Sequence, residues 1–423
     1  MVLIRERGPL FVPDFFVEDV TTRPVYDVYD TNCVEIGGKE KVPPDLKDIQ
    51  KFNAFADGSM RLYRIGVMRK YGIPLYFATI SAVVLSRGKD KVLRSTTHFK
   101  RVSLIIFPKY LFFQIIPDEQ AKKDLIEILE NLKKILRHKK QSFILEEELP
   151  KKGGFEFLAE NSYLWIFCDI SFKGITSPRF GEETSAEANV LIKPEDLFNP
   201  NRIKNVARAR SRFIMNLLEF ASVGNFILEQ YKQGKTPRVL VDEVIPRLLR
   251  IKKALKLDTP DGQYIYQKCV SSMVGFIKNP RVIPKEKEEF LRLLELDQFE
   301  FKVYKSKSDL NDLEAYEESV LEKTTSEETD ENYFIFLKFR KIPEYESLLH
   351  GLVKIHLKPG IEDIDFKEVA SAVYYERFPF PSNRNRFFNE PFPIEEAEKV
   401  AQSLLVSEEE ARGFMFSILK LYF

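Results

Sequence analysis

Cysteine, histidine and tryptophan are scarce in this chain of 423 residues. Its three cysteines, Cys33, Cys168 and Cys269, are far apart and odd in number. That excludes a cysteine-rich zinc module and suits a reducing compartment. The four histidines, His98, His138, His350 and His356, form no metal-ligand spacing. No apolar run reaches the roughly 18 residues of a membrane span. The opening MVLIRERGPLFVPDFF is too charged, and its apolar part too short, for a secretory signal, so a cytoplasmic protein with no membrane partner is expected. There is no Walker-type glycine loop, so the chain is not itself an ATP-driven motor. No internal repeat is visible. The formal net charge of +1 hides balanced local blocks, so the total decides nothing about a nucleic-acid partner.

What is abundant is phenylalanine, with 36 residues in a chain that is 44% apolar and 30% charged. Such a chain is globular and long enough for two domains or one elaborated domain. Residues 1–50, with Pro9, Pro13, Pro24, Pro43 and Pro44, read as an irregular arm with short extended pieces. The stretch FNAFADGSMRLYRIGVMRKYGIPLYFATISAVVL then predicts a meander. Phe52 to Ala56 is a short strand, Asp57-Gly58-Ser59 the turn that stops it, and Leu62 to Met68 and Leu75 to Leu85 two further strands. Val102 to Phe107 and Tyr110 to Ile116 continue the sheet. Apolar residues at helical spacing predict a helix over 118–140, whose basic end suits either the helix dipole or DNA. The segment 155–172 reads as strand-rich and 200–233 as the longest helix. Strands are expected at 238–242, 333–339 and 352–357, and mixed signals run from 263 to 278. Residues 306–331 form an acidic loop, 378–393 a Pro/Asn/Arg/Phe loop, and two helices close the chain, the last with a Ser407/Glu410 capping box.

Three acids sit where apolar residues would be expected. Asp57 ends the strand FNAFA, Asp242 ends the strand VLV, and Glu219 lies in the apolar half of the long helix near Met215, Ser222, Val223 and Phe226. Each has an ordinary explanation: Asp57 as a turn former, Glu219 in an ion pair with Arg212 or Lys232, and Asp242 as a cap for the next helix. Together they match the all-oxygen donor set that suits Mg²⁺ or Mn²⁺, which can activate water against a phosphodiester. Two strand-end acids and one helix acid are the layout of RNase H-like nucleases. The arginines in the first half of the long helix oppose its dipole, and a phosphate anion would compensate them.

The motif FNAFADGS followed by the long apolar strand resembles the opening of the NurA family of nucleases. The helix RSRFIMNLLEFASVGNFIL, the strand RVLVDEVI, the element MVGFIKNP and the late segments FPFPSNRNRF and PFPI match that family's further motifs in order. The resemblance spans about residues 50–400. It implies an α/β protein with an RNase H-like mixed sheet flanked by helices, extra N- and C-terminal elements, and a large insertion near 86–200 in a domain over 51–423. It also implies a Mn²⁺- or Mg²⁺-dependent 5′-to-3′ exonuclease and single-strand endonuclease, a homodimer that resects DNA ends with a HerA-type hexameric ATPase. Asp57, Glu219 and Asp242 would be the metal-site acids, and Lys278 would face the phosphate backbone. Arg208, Arg212, Arg384 and Arg386 would bind DNA, and Phe387 would stack on bases. Two departures stand out. The second acidic motif is Asp242-Glu243-Val244 rather than Asp-Gly-Ser, and Arg386 falls where the family carries a late histidine. The competing expectation is a catalytically inactive DNA-binding or scaffold subunit of the same ATPase complex.

Overall fold

The computed structural model describes residues 11–18, 29–31, 33–43, 51–68, 72, 74–107, 118–169, 200–243, 245–246, 248–278, 280, 282–284, 286–306, 332–340, 351–358, 365–377 and 391–419. Four strands come first, β1 (Phe11–Glu18), β2 (Tyr29–Thr31), β3 (Cys33–Glu35) and β4 (Glu40–Lys41). Three long strands follow, β5 (Ala54–Met68), β6 (Pro74–Arg87) and β7 (Leu93–Phe107). Then come α1 (Glu119–His138), β8 (Phe143–Leu145), α2 (Phe155–Glu160) and β9 (Tyr163–Asp169). The long helix α3 (Pro200–Lys232) leads into β10 (Val239–Asp242), α4 (Leu248–Ile251), α5 (Pro260–Val270), β11 (Met273–Ile277), β12 (Val282–Pro284) and α6 (Lys287–Leu294). The chain continues with β13 (Glu300–Ser306), β14 (Asn332–Lys338), β15 (Leu352–Leu357), α7 (Phe366–Tyr375), α8 (Phe392–Leu404) and α9 (Glu408–Leu419).

Thirteen of these strands form one mixed sheet. Its order is β3-β13-β14-β15-β11-β10-β5-β6-β7-β9-β8, with β1 added against β5 and β4 against β13. The neighbours β5/β10, β10/β11, β7/β9 and β8/β9 run parallel, and the other pairs are antiparallel. The protein is therefore mixed α/β, with a large sheet flanked by helices. Within the stretch 86–200, β7, β8 and β9 extend the sheet beyond β6, and from the first fifty residues β1 pairs with β5. No described helix is long and apolar enough to cross a membrane.

The strands are apolar on both faces because helices cover both. On one face Ala54, Ala56, Ala78, Ile80, Leu104 and Ile166 pack under Phe213, Leu217, Phe220 and Ala221 of α3. On the other, Phe55, Leu240, Phe276 and Ile355 meet Val369 and Val373 of α7. Phe77, Ile105 and Phe167 on that face meet Ile128, Leu132 and Leu136 of α1. Each fully buried side chain of this size contributes about 1.5–3 kcal/mol. The helix α3 passes close over its neighbours at Gly224, where a Cβ would lie 2.9 Å from Phe155 and 3.1 Å from the Cys269 sulfur.

Two local expectations are corrected. Asp57-Gly58-Ser59 is not a turn: β5 runs through it without a break, and Asp57, Gly58 and Ser59 pair with Val83, Ala82 and Ser81 of β6. Residues 155–160 are helix, not strand. Their helix starts at Gly154, whose positive φ and tight approach to the Leu255 backbone only glycine accommodates. The predicted strand 110–116 and the acidic loop beyond Ser306 lie outside the described residues.

The α3 side of the sheet also buries Lys100, whose Nζ donates to the Ala159 carbonyl at 2.5 Å. Burial pulls its pKa from 10.5 down to about 8. Between those two values the unfolded chain holds a proton that the native state has lost, so stability rises with pH across that window. Lys100→Met is expected to remove this rise and to be more stable by about 1–3 kcal/mol near neutrality. Urea denaturation at pH 7 and pH 9.5 checks both.

Candidate functional site

The site grows from two parallel strands. Val239, Leu240 and Val241 of β10 pair in register with Ala54, Phe55 and Ala56 of β5. Asp242 and Asp57 are thus the next residues on neighbouring strands that point the same way. Asp242 pairs with Phe276 of β11, which places Lys278 just beyond that strand's end. On the same edge of β5, β1 pairs only with Leu62 to Met68. Between β10 and β1, residues 57–61 meet no strand on that edge among the described residues. The sheet opens there, at the carboxyl ends of parallel strands, where open α/β sheets bind ligands.

Strand alternation then assigns faces. Val83, opposite Asp57, packs on Ala397 and Ala401 of α8. Ala82, opposite Gly58, belongs to the core under α3. Asp57 accordingly faces α8, and Gly58 faces α3, where the Glu219 carboxylate lies directly over it. A Cβ on Gly58 would overlap Glu219 Oε1 and lie 2.9 Å from its Cδ. The glycine is required for this close approach and not for a turn. Gly58→Ala is expected to displace Glu219 while β5 stays paired. The same variant tests the site: under the function proposed below, it loses at least about tenfold in activity with a change in stability below about 2 kcal/mol.

The acids are buried together. Asp57 is 5% exposed. Its Oδ1 accepts a hydrogen bond from Gly58 N at 2.7 Å, and its Oδ2 has no hydrogen-bond partner. Burial pushes its carboxyl well above the usual range, and the charge on Asp242 pushes it further. Lys278 opposes this, while Glu219 and Glu398 of α8 add to it. Burial also raises Glu219 well above its ordinary value, helped by Glu243 and Asp242. Lys278 Nζ stands 3.3 Å from Asp242 Oδ2. A cavity of about 20 Å³ lies between Glu219, Asp242, Ala56, Val241 and Met273, room for about one water-sized occupant.

Three contributors were not singled out in the sequence. Glu243, in the left-handed region with φ of 64°, donates its N–H to the Phe276 carbonyl at 2.7 Å. Its adjacency to Asp242 was the available signal. Glu398 gives no signal, since it reads as one more acid on an amphipathic helix. His356 is buried, and its Nδ1 accepts from Ile245 N at 3.2 Å. Its Nε2 therefore carries the proton and donates to Asn332 Oδ1 at 3.0 Å, so a neutral imidazole pins the loop that follows the acids.

Does this set suit a divalent cation? The donors are all oxygen, one buried oxygen of Asp57 lacks a hydrogen-bond partner, and two carboxyls are destabilised as anions by burial and then by their neighbours. That chemistry fits Mn²⁺ or Mg²⁺. The side chains as they stand do not converge on one point: among the described residues, no three His, Cys, Asp or Glu are spaced to share an ion. Asp57 and Glu219 reach the sheet end from opposite faces, and Lys278 holds Asp242.

The other expected site residues lie elsewhere. Arg208 and Arg212 are buried on α3, each 6% exposed. They precede Glu219 by eleven and seven positions, about 16 and 10 Å along the helix axis. Arg384, Arg386 and Phe387 lie outside the described residues. No protein-family model matches the chain, and no curated protein matches it.

Proposed function

We propose that the protein is a metal-dependent DNA nuclease. The observation that carries this reading is the placement of Asp242, at the end of β10, beside Asp57 on the parallel strand β5, with Glu219 set over Gly58 next to them. The strand run β7-β6-β5-β10-β11, two antiparallel contacts followed by two parallel ones, supports an RNase H-like arrangement around these acids.

In this reading Asp57, Asp242 and Glu219 would be the residues that hold Mn²⁺ or Mg²⁺ once their side chains turn toward one another, with Glu243 adding negative charge. The ion, when bound, supplies Lewis acidity and a water of lowered pKa at the phosphodiester. Lys278, 3.3 Å from Asp242, would neutralise phosphate charge. His356 keeps the loop after Asp242 in place. Digestion from 5′ ends, single-strand endonuclease action, a homodimer, a HerA-type ATPase partner in end resection and a cytoplasmic location are part of the same proposal. All of these rest on the resemblance of FNAFADGS and MVGFIKNP to NurA sequences.

A second reading has one specific observation in its favour. The Asp242–Lys278 ion pair already neutralises one acid without a metal, as a non-catalytic DNA-holding subunit would. The test is digestion of end-labelled single- and double-stranded DNA with Mn²⁺, Mg²⁺ or EDTA, for wild type and Asp57→Ala. Cutting that needs the ion and disappears in the variant supports the nuclease. Intact DNA with every ion, still bound by wild type, supports the second reading.

A further inference from the structure

A second concavity, of about 340 Å³, opens on the α8/α9 side of the sheet, between β7, β9 and α9. Its wall is aromatic. The Trp165 ring lies 4.6 Å from Phe414 and 6.0 Å from Phe77. Trp165 Nε1 donates to Gln141 Oε1 at 2.8 Å, which fixes the indole plane and leaves the Gln141 amide NH₂ as a donor at the rim. Tyr163, at the start of β9, is 59% exposed. Arg101 lines the same space, near the Glu410 carboxylate, which the Ser407 N–H and hydroxyl and the Arg101 charge hold below its usual range. The one acid in the lining, Glu410, is already engaged: its Oε2 accepts from Ser407 N at 2.9 Å in the capping box of α9.

Planar apolar walls, an amide donor and a half-exposed guanidinium together select a flat aromatic ring that carries an anion. The volume falls within the range of small-ligand sites. A purely apolar segment would fill the walls but would leave Arg101 and the Gln141 amide without a purpose. We propose that this concavity seats one nucleotide of a single-stranded nucleic acid, its base against Trp165 and Tyr163 and its phosphate on Arg101. Base stacking on aromatic side chains tolerates any sequence, and arginine recognises phosphate by its planar fork. The site is separate from the acids. Asp57 pairs with Val83, Val83 with Phe99, and Arg101 is two residues further along β7, about 12 Å away across the sheet. Helix α8 runs between them, with Ser81 Oγ donating to the Ala401 carbonyl. Only the class of polymer is taken from the nuclease reading, and the residues are different.

Trp165 is the only tryptophan, so its emission reports this site alone. Short oligo-dT titrated into the full chain in EDTA is expected to change that emission saturably. Arg101→Gln and Tyr163→Ala, both on partly exposed positions, are each expected to weaken the midpoint about tenfold. An absent change, a change that both variants leave intact, or the same change with pyrophosphate alone would overturn the proposal. Metal-dependent cutting measured on the same preparations separates the two readings. Cutting without an emission change removes the nucleotide seat alone, and an emission change without cutting removes the nuclease alone.

Discussion

Asp57→Asn is expected to lower metal-dependent DNA cleavage by about 10³-fold and, without metal, to make the protein more stable. The two effects have one cause. Asp57 is buried among Asp242, Glu219 and Glu398, and one of its oxygens has no partner. Its charge is costly until a cation arrives, and a neutral amide of the same shape relieves about 1–3 kcal/mol of that cost. The pH dependence follows with a definite sign. A carboxyl raised in the native state binds a proton that the unfolded chain has already released, so metal-free stability falls as pH rises from the ordinary carboxylate range toward neutrality. Asp57→Asn flattens that fall. Thermal melts from pH 4 to pH 8 with EDTA check it. A variant that loses both activity and stability would mean that Asp57 supports the fold and not a site.

Glu146→Ala is expected to cost about 3–5 kcal/mol. Glu146 accepts a hydrogen bond from Arg210 at 2.8 Å, and the two side chains are 6% and 2% exposed. Removing the acid takes the Glu146 carboxylate away from a buried guanidinium. Replacing both partners with apolar residues, Glu146→Leu with Arg210→Met, is expected to recover most of the loss. Urea denaturation measures each step. The result also bears on the arginine run of α3. If Arg210 served DNA, Glu146→Ala would leave stability nearly unchanged and would tighten DNA binding.

Where sequence and structure agree, the signal was local. The period of α3 and the apolar runs of β14 and β15 are self-contained, and the Ser407/Glu410 capping box is made within four residues. The acids Asp57, Asp242 and Glu219 stood out because burying a carboxylate in apolar surroundings is costly wherever it occurs. Where the two disagree, the deciding contact is distant. Asp57-Gly58 looks like a hairpin dipeptide, yet the glycine answers to Glu219, brought in by a helix far along the chain. Gly154 opens a helix because the Leu255 backbone passes close by, and the phenylalanines after it imitate a strand. The arginines of α3 look like a phosphate-facing cluster, but that helix is covered on nearly every side, and Glu146 arrives from the turn after β8. Glu243 and His356 come near the opening through the strand order, and Glu398 through the packing of α8 on β5 and β6.

The central claim is that these carboxylates take up a divalent cation, and isothermal titration of Mn²⁺ into the full metal-free chain tests it most directly. Run near neutral pH in two buffers of different ionisation enthalpy, it also counts protons. The account predicts saturable binding that releases protons, because raised carboxyls must ionise to become ligands, and loss of both signals in Asp57→Asn. Absence of saturable binding in the wild type, or binding that Asp57→Asn leaves unchanged, would contradict it.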